Sequence, residues 1–228
     1  MIRNVFIDLD DTLFDFKAAE RAAMKKTLEE LSLSSDDETV KRYSEINKEL
    51  WRALERGEIS RSSLKVRRFE ILFSELGVQR SPEEAKKIYE SHLSNGHIFM
   101  PGAPELLEAL YGKYRLFLAS NGSLSVQVGR IKSSGISKYF EKMFISEAIG
   151  YAKPTLQFFE YCFSEIDGFS ENETIIIGDT LSSDILGGIN SGIHTCYYNP
   201  RGKTNDTGII PEFEISALSD VEKVLEML

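Results

Sequence analysis

The stretch Val5-Phe6-Ile7-Asp8-Leu9-Asp10-Asp11-Thr12 decides the fold, because an apolar run stops abruptly at a row of acidic residues. A short, continuous apolar run bounded in this way predicts a strand buried on both faces, as in a parallel sheet. Asp8 would then lie at the carboxyl end of that strand. Ligands of open parallel sheets bind outside these carboxyl ends, so the same stretch marks a candidate site.

Further apolar runs repeat this pattern and alternate with segments of helical spacing. We predict strands over residues 5–7, 116–119, 142–145, 174–177, 195–198 and 213–215. Helical spacing predicts helices over about 103–112, 123–135, 155–166, 182–191 and 217–227. Strands that alternate with helices predict an α/β fold, a Rossmann-like parallel sheet with helices on both faces.

The segment from residue 17 to residue 97 breaks this alternation. It is rich in charge, contains no convincing strand, and repeats apolar residues at helical spacing with Gly57 and Gly77 as interruptions. We therefore predict two domains. Residues 1–16 and 98–228 would form the Rossmannoid catalytic core, and residues 17–97 an inserted helical cap.

The composition limits the classes of function. The chain has 228 residues, of which 42% are hydrophobic and 28% charged, and its net charge is -9. Without a basic run, a nucleic-acid polymer is not an expected partner. The chain lacks signal-peptide features and a membrane-length apolar stretch, so a membrane partner is not expected either. Cys162 and Cys196 suggest neither a disulfide framework nor a metal site, which favours buried free thiols and a cytoplasmic location.

Four polar clusters each follow a predicted strand, and we expect them to converge on one crevice. They are Asp8 to Thr12, Ser120-Asn121, Lys153-Pro154, and Gly178-Asp179 with Asp184. The acidic members would oppose one another electrostatically, and a bound cation would relieve this repulsion. Since the candidate ligands are hard oxygens without His or Cys, we expect magnesium rather than zinc, with Asp8, Asp10, Asp179 and Asp184 as its residues.

Such a site suits a phosphoryl group. Lys153 would neutralise the nonbridging oxygens, while Ser120 and the amide of Asn121 would donate hydrogen bonds to them. The Asp8 carboxylate could attack phosphorus, and Asp10 could serve as general acid and then as general base. We predict that Asp8 and Asp10 are catalytic and that the other three bind phosphate.

Structural roles are the expectation for several other residues. Tyr43, Trp51 and Phe69 would lie in the core of the helical insert, and Arg67 and Arg68 would form a solvated or ion-paired group. Beside the nucleophile, Asp11 would point away and hold local structure, and Thr12 would bond the loop backbone.

The four clusters, in this order, resemble the motifs of the haloacid dehalogenase-like hydrolase superfamily. The family's D-x-D-x-T, its Ser or Thr after a strand, its Lys, and its G-D-x-x-x-x-D match Asp8 to Thr12, Ser120, Lys153, and Gly178, Asp179 and Asp184. The resemblance implies an aspartyl-phosphate on Asp8. It also implies that magnesium is held by Asp8, by Asp179 and by the backbone carbonyl of Asp10. Asp184 would act through a water, or as a carboxylate that contacts the ligands without binding the ion itself.

A closer resemblance, to the bacterial pyrimidine 5′-nucleotidases that act on noncanonical pyrimidines, rests on four stretches: Asn47 to Trp51, Glu55 to Ile59, Arg67 to Phe69, and Asp184 to Asn190. It implies that the partner is a small phosphorylated metabolite, a nucleoside 5′-monophosphate. Two alternatives stay open. One is a phosphosugar phosphatase or mutase of the same superfamily, and the other is a non-catalytic phosphoacceptor or binding module.

Overall fold

The structure is a computed structural model that describes residues 1–228 except for the side chain of Glu55, on which part of the nucleotidase resemblance falls. The chain divides into two compact units, one formed by Met1–Phe16 with His97–Leu228 and the other by Lys17–Gly96. The roles of these units as catalytic core and cap stay predictions. In the part of the chain that is described, no helix has the length and apolarity to cross a membrane.

A six-stranded, fully parallel sheet forms the centre of the first unit. Its spatial order is β3-β2-β1-β4-β5-β6. This sheet confirms the predicted Rossmann-like α/β fold. The strands are β1 (Asn4–Ile7), β2 (Arg115–Ser120), β3 (Lys142–Ile145), β4 (Thr174–Gly178), β5 (His194–Tyr198) and β6 (Phe213–Ile215).

Both units contain α-helices. Those of the helical unit are α1 (Phe16–Glu30, which starts in the sheet unit), α2 (Asp37–Glu55), α3 (Arg61–Glu75) and α4 (Pro82–Ser94). Those of the sheet unit are α5 (Ala103–Leu110), α6 (Leu124–Ser134), α7 (Ser146–Ile149), α8 (Leu156–Ser164), α9 (Leu186–Asn190) and α10 (Val221–Glu226).

The central strand β1 is buried on both faces, as its apolar run predicts. Val5 and Ile7 join one apolar layer of the sheet unit, and Phe6 joins the layer on the opposite face. This alternation follows from the two-residue period of a strand. Since β1 lies between β2 and β4, its carboxyl end brings Asp8 to the middle of the sheet edge.

The segment predicted as one helix over 182–191 has two parts. Leu181–Ile185 forms a wider π turn, in which the Ile185 N–H donates to the Thr180 carbonyl five positions back, and α9 follows. A local apolar period does not distinguish a π turn from an α turn. The wider turn carries Asp184, which connects the irregularity to the candidate site.

The helical unit has capped helices and a core of its own. Asp36, Ser60 and Ser81 precede α2, α3 and α4, and each side chain accepts a hydrogen bond from a backbone N–H of the first turn. Tyr43 and Phe69 are fully buried and pack against each other with ring centroids 5.4 Å apart, which confirms their predicted place in this core. Trp51 is only partly buried, with the Arg61 guanidinium 5.6 Å from the centre of its ring, so the same expectation is wrong for Trp51.

The expectation for Arg68 is wrong. Its side chain is buried, its guanidinium lies 4.7 Å from the centre of the Tyr89 ring, and it donates to Asn47 Oδ1 at 3.1 Å. Asn47 in turn donates to the carboxylate of Glu20 at 2.7 Å. Aromatic faces and this polar chain replace the solvent that an arginine on a charged helix usually has.

Candidate active site

The carboxyl ends of β1 and β4 bring the first and last acidic clusters together. The Asp8 N–H donates to the Ile177 carbonyl at 2.9 Å, which continues the strand pairing up to the site. Carboxylate oxygens of Asp8, Asp179 and Asp184 all lie within 4.8 Å of one another. The predicted convergence of these three side chains is therefore present in the structure.

Lys153 lies among these acidic groups, with a side chain only 1% exposed. Its Nζ donates to Asp8 Oδ1 at 2.7 Å, to Asp184 Oδ1 at 2.6 Å and to the Ala119 carbonyl at 2.6 Å. Burial lowers the pKa of Lys153, but the charges of Asp184 and Asp8 outweigh it and raise that pKa overall. Lys153 is therefore a fixed cation at the carboxyl end of β1.

Asn121 fixes the backbone of Lys153. Its Oδ1 accepts from the Lys153 N–H at 2.9 Å, and its Nδ2 donates to the Lys153 carbonyl at 2.8 Å. Both ends of the Asn121 side-chain amide are thus used to place the lysine. A phosphate contact by Asn121 would fall to its backbone amide, which stays a prediction.

The acidic groups are in an electrostatically unfavourable position. Burial raises the pKa of Asp8 well above its ordinary value, against the lowering effect of Lys153, and Asp184, Asp10 and Asp179 raise it further. Burial and then the charge of Asp184 raise the pKa of Asp179 to about 6. The nearest ammonium to Asp179 belongs to Lys203, 3.7 Å from Oδ2. The site therefore disfavours its own full ionisation.

Gly178 makes room for Asp184. A Cβ atom at position 178 would lie 2.3 Å from Cγ of Asp184 and 2.4 Å from its Oδ2. The Asp184 carboxylate uses this space to accept from the Thr180 N–H at 3.1 Å while its other oxygen accepts from Lys153. The fourth motif thus needs a glycine at position 178, because a side chain there would collide with the Asp184 carboxylate.

Ser120 is buried at the end of β2, and its hydroxyl oxygen accepts twice. The Gly122 N–H lies 3.2 Å from Oγ, and Nε2 of Gln127 lies 2.9 Å from it. A hydroxyl oxygen has two lone pairs and one proton. With both lone pairs occupied, the Ser120 proton is available to an anionic ligand.

The Asp10 side chain is held apart from the other carboxylates. Its Oδ2 accepts from Gln127 Nε2 at 2.6 Å, and its Oδ1 accepts from Nη1 of Arg130. Gln127 and Arg130 were not predicted as site residues from the sequence, because polar residues on a helix are expected in solvent. Their spacing of three residues, which places them on one face of the helix that follows Ser120, was the available signal.

The remaining residues of the first motif differ in outcome. Asp11 has a left-handed backbone with φ of 59°, and its Oδ1 accepts from the Phe16 N–H at 3.2 Å, which confirms a local structural role. The expectation for Thr12 is wrong. Its hydroxyl is buried, and it has no hydrogen-bond partner within the described part of the chain.

Comparisons with known proteins define the class. Residues 5–198 match the family model for haloacid dehalogenase-like hydrolases. The chain therefore belongs to the haloacid dehalogenase-like hydrolase family, as its motifs indicate. This membership and the relatives below confirm the predicted enzyme class, a phosphatase of this family.

Three relatives cover nearly the whole chain. The pyrimidine 5′-nucleotidase PynA of Streptococcus pneumoniae is 37% identical over 97% of this chain and 94% of its own length. The pyrimidine 5′-nucleotidase YjjG of Escherichia coli is 31% identical over 97% and 96%. The crystal structure of the HAD-hydrolase YfnB of Bacillus subtilis, bound to magnesium, is 35% identical, covers 98% of both chains and has a TM-score of 0.93.

Proposed function

We propose that this protein is a magnesium-dependent phosphatase that forms an aspartyl-phosphate on Asp8 and hydrolyses nucleoside 5′-monophosphates, pyrimidine nucleotides above all. The observation that carries the proposal is the meeting of the Asp8, Asp179 and Asp184 carboxylates, two of which, Asp8 and Asp184, accept from the Lys153 ammonium. Such a cluster joins a nucleophile, a fixed cation and a set of hard oxygen donors.

The residues of this cluster fit a magnesium ion. Three carboxylates lie within reach of one another, and burial, together with the charge of neighbouring carboxylates, raises the pKa values of Asp8 and Asp179, which a bound cation would oppose. Oxygen donors in an acidic, sulfur-free set suit magnesium. Asp8 and Asp179 would hold the ion, with Asp184 at its side and the Asp10 carbonyl as the further ligand that the family resemblance implies. When bound, the ion supplies positive charge against the phosphoryl oxygens.

The first chemical step would be attack by an Asp8 carboxylate oxygen on phosphorus. The new bond joins Asp8 oxygen to phosphorus as the bond from phosphorus to the substrate oxygen breaks. Asp10 gives a proton to the departing alkoxide, which leaves as an alcohol. Lys153 and the Ser120 hydroxyl offset the negative charge on the phosphoryl oxygens.

The second step would hydrolyse the aspartyl-phosphate. Asp10, now a carboxylate, takes a proton from water, and the water oxygen attacks phosphorus. The bond between phosphorus and Asp8 breaks, which releases inorganic phosphate and restores the Asp8 carboxylate. The same side chain thus serves as acid and base in turn.

The substrate proposal is supported by the two nucleotidases that align over nearly the entire chain. The expected order of kcat/KM places pyrimidine nucleoside 5′-monophosphates above purine nucleotides and phosphosugars. Release of inorganic phosphate from such a panel, with magnesium and with a chelator, measures this order. A preference for phosphosugars, or isomerisation without free phosphate, would contradict the nucleotidase proposal.

Acid quenching tests the covalent intermediate. Wild-type protein mixed with radiolabelled substrate and quenched within the first turnovers should carry label on the peptide that contains Asp8. The Asp8→Asn variant should carry none and should lose turnover. Label that persists for many minutes on wild-type protein without phosphate release would favour a phosphoacceptor module instead.

A further inference from the structure

Two buried polar side chains next to Asp10 take no part in the two proposed steps. Gln127 is 1% exposed and Arg130 is fully buried. They lie three residues apart on α6, so they share one face of that helix. Burial of an amide and a guanidinium is unfavourable unless both are well hydrogen-bonded. The hydrogen-bond partners of Gln127 and Arg130 therefore indicate their role.

The contacts converge on both oxygens of the Asp10 carboxylate. Nε2 of Gln127 donates to Asp10 Oδ2 at 2.6 Å and to Ser120 Oγ at 2.9 Å. Nη1 of Arg130 donates to Asp10 Oδ1 and to Oε1 of Gln127, the latter at 3.0 Å. Donors on both oxygens fix the rotation of the carboxylate as well as its position.

A glycine in the preceding loop makes room for this arrangement. A Cβ atom at Gly122 would lie 2.2 Å from Nε2 of Gln127 and 2.6 Å from its Cδ. The space that a side chain at position 122 would fill is the space that the Gln127 amide occupies. Loop, helix and hydrogen bonds thus all fix the same amide.

We propose that Gln127 and Arg130 are positioning residues that hold the Asp10 carboxylate where it exchanges protons with the leaving group and with water. The second N–H of Gln127 joins this position to Ser120, so the acid and the phosphate donor are set relative to each other. The inference rests on the proposed function, since it assigns Asp10 the proton transfers.

Substrates with different leaving groups distinguish a positioning role of Gln127 from a purely structural one. An alkoxide leaving from a nucleoside 5′-monophosphate needs the proton of Asp10, whereas 4-nitrophenolate leaves without one. General acid catalysis contributes about 10²–10⁴-fold, so in Gln127→Ala we expect the ratio of kcat/KM for the nucleotide to that for 4-nitrophenyl phosphate to fall about tenfold or more. Because kcat/KM reports steps up to the first irreversible one, slow hydrolysis of the intermediate does not mask this fall.

Further variants sharpen the test. Gly122→Ala should dislodge the Gln127 amide without deleting it and should lower the same ratio. Val128→Ala, at an exposed neighbour on α6, is the matched control and should leave the ratio unchanged. In an Asp10→Asn background, Gln127→Ala should no longer change the ratio, since the group that it positions is gone.

The outcomes are distinct. Equal losses on both substrates, or a change of ratio that persists in the Asp10→Asn background, would overturn the positioning role. If Gln127→Ala does not fold, as judged by its thermal transition, the test depends on Gly122→Ala. An unchanged ratio of kcat/KM values for the two esters in folded Gly122→Ala would overturn the inference. Wild-type protein that hydrolyses neither ester would instead contradict the proposed function itself.

Discussion

Lys153 Nζ lies 2.7 Å from Asp8 Oδ1, a contact that joins residues 145 positions apart and is almost fully withdrawn from solvent. Asp184 Oδ1 accepts from the same ammonium at 2.6 Å. This buried pair supports the fold because it neutralises carboxylates that burial would otherwise make unfavourable. The same cation would then face a bound phosphoryl group, so stability and catalysis depend on one side chain.

Lys153→Met is expected to impair both properties. Removal of a buried cation leaves carboxylates uncompensated, which costs about 3–5 kcal/mol in unfolding free energy. Loss of a charge that stabilises the transition state should lower kcat by roughly 10²–10³-fold. Urea denaturation with a chelator and steady-state phosphate release measure the two effects.

The control for this variant is Lys132→Met, which removes an exposed lysine of α6. It should change neither the denaturation midpoint nor kcat appreciably. A Lys153→Met protein of wild-type stability and activity would show that the ammonium is dispensable at this site.

Asp8→Asn is expected to abolish turnover and to raise the metal-free stability at neutral pH. Burial raises the pKa of Asp8, so the folded state binds a proton more tightly than the unfolded state. Stability therefore falls as pH rises above the ordinary value of 3.8, and a neutral amide removes this loss. Below that pH the variant and the wild type should converge.

Denaturation curves with a chelator at several pH values test this prediction, with the exposed Asp206→Asn as the matched acid-to-amide control. A destabilised Asp8→Asn protein at neutral pH would mean that the ion pair with Lys153 outweighs burial. Near-normal kcat in the variant would refute the nucleophile assignment.

Much of this site follows from local sequence, and some of it does not. The strand that ends at Asp8 was predictable because a buried parallel strand needs an unbroken apolar run, and acidic residues stop that run. Lys153 and Asp179 were predictable by their place in a motif order. The position of Asp179 directly after β4 follows from parallel topology, whereas Lys153 reaches the site from the segment after α7.

The supporting residues depend on tertiary contacts that no local pattern encodes. Gln127 and Arg130 have the composition of an exposed helix face, and the buried position of the Gln127 amide requires the space at Gly122 in the loop before the helix. The burial of Arg68 was not predictable for the same reason, since the aromatic rings that cover it, Tyr43 and Tyr89, lie on two other helices. Long polar side chains show their environment only after the helices pack.

The pH dependence of Asp179 gives a further prediction. Its pKa is raised to about 6, so between about pH 4 and pH 6 the folded state binds more protons than the unfolded state. Metal-free stability should therefore fall as pH rises through this window, by on the order of 3 kcal/mol from this group. Asp179→Asn should flatten the curve in the same window, and an equally steep curve would contradict the assignment.

Magnesium is expected to offset the loss of folding stability that ionised Asp179 causes at neutral pH. A ligand that binds only the folded state raises the unfolding free energy by RT ln(1 + [L]/Kd), about 2.7 kcal/mol at a hundredfold excess over Kd. At neutral pH the wild type should therefore gain thermal stability with magnesium, and Asp179→Asn should gain much less. An equal gain in thermal stability in both proteins would show that Asp179 does not hold the ion.

Gly188→Ala tests the close packing of α9 on the sheet that places Asp184. A Cβ atom at position 188 would lie 2.6 Å from Cγ2 of Ile176 in β4 and 2.6 Å from Cγ2 of Thr195 in β5. These atoms belong to branched side chains in adjacent strands, so the helix itself would have to shift. Overpacking of this kind costs about 1–3 kcal/mol, which thermal denaturation would report as a lowered midpoint.

Thr195→Ser provides the complementary change, since it removes the Cγ2 methyl and keeps the hydroxyl that accepts from the Glu212 N–H at 3.0 Å. Added to Gly188→Ala, it should recover part of the lost stability, because one of the two steric conflicts disappears. Ile189→Ala, at an exposed position of the same helix, should cost little and serves as the control. If Gly188→Ala is as stable as the wild type, the approach of α9 to the sheet is looser than these distances require, and the placement of Asp184 must depend on its bonds to Lys153 and Thr180 alone.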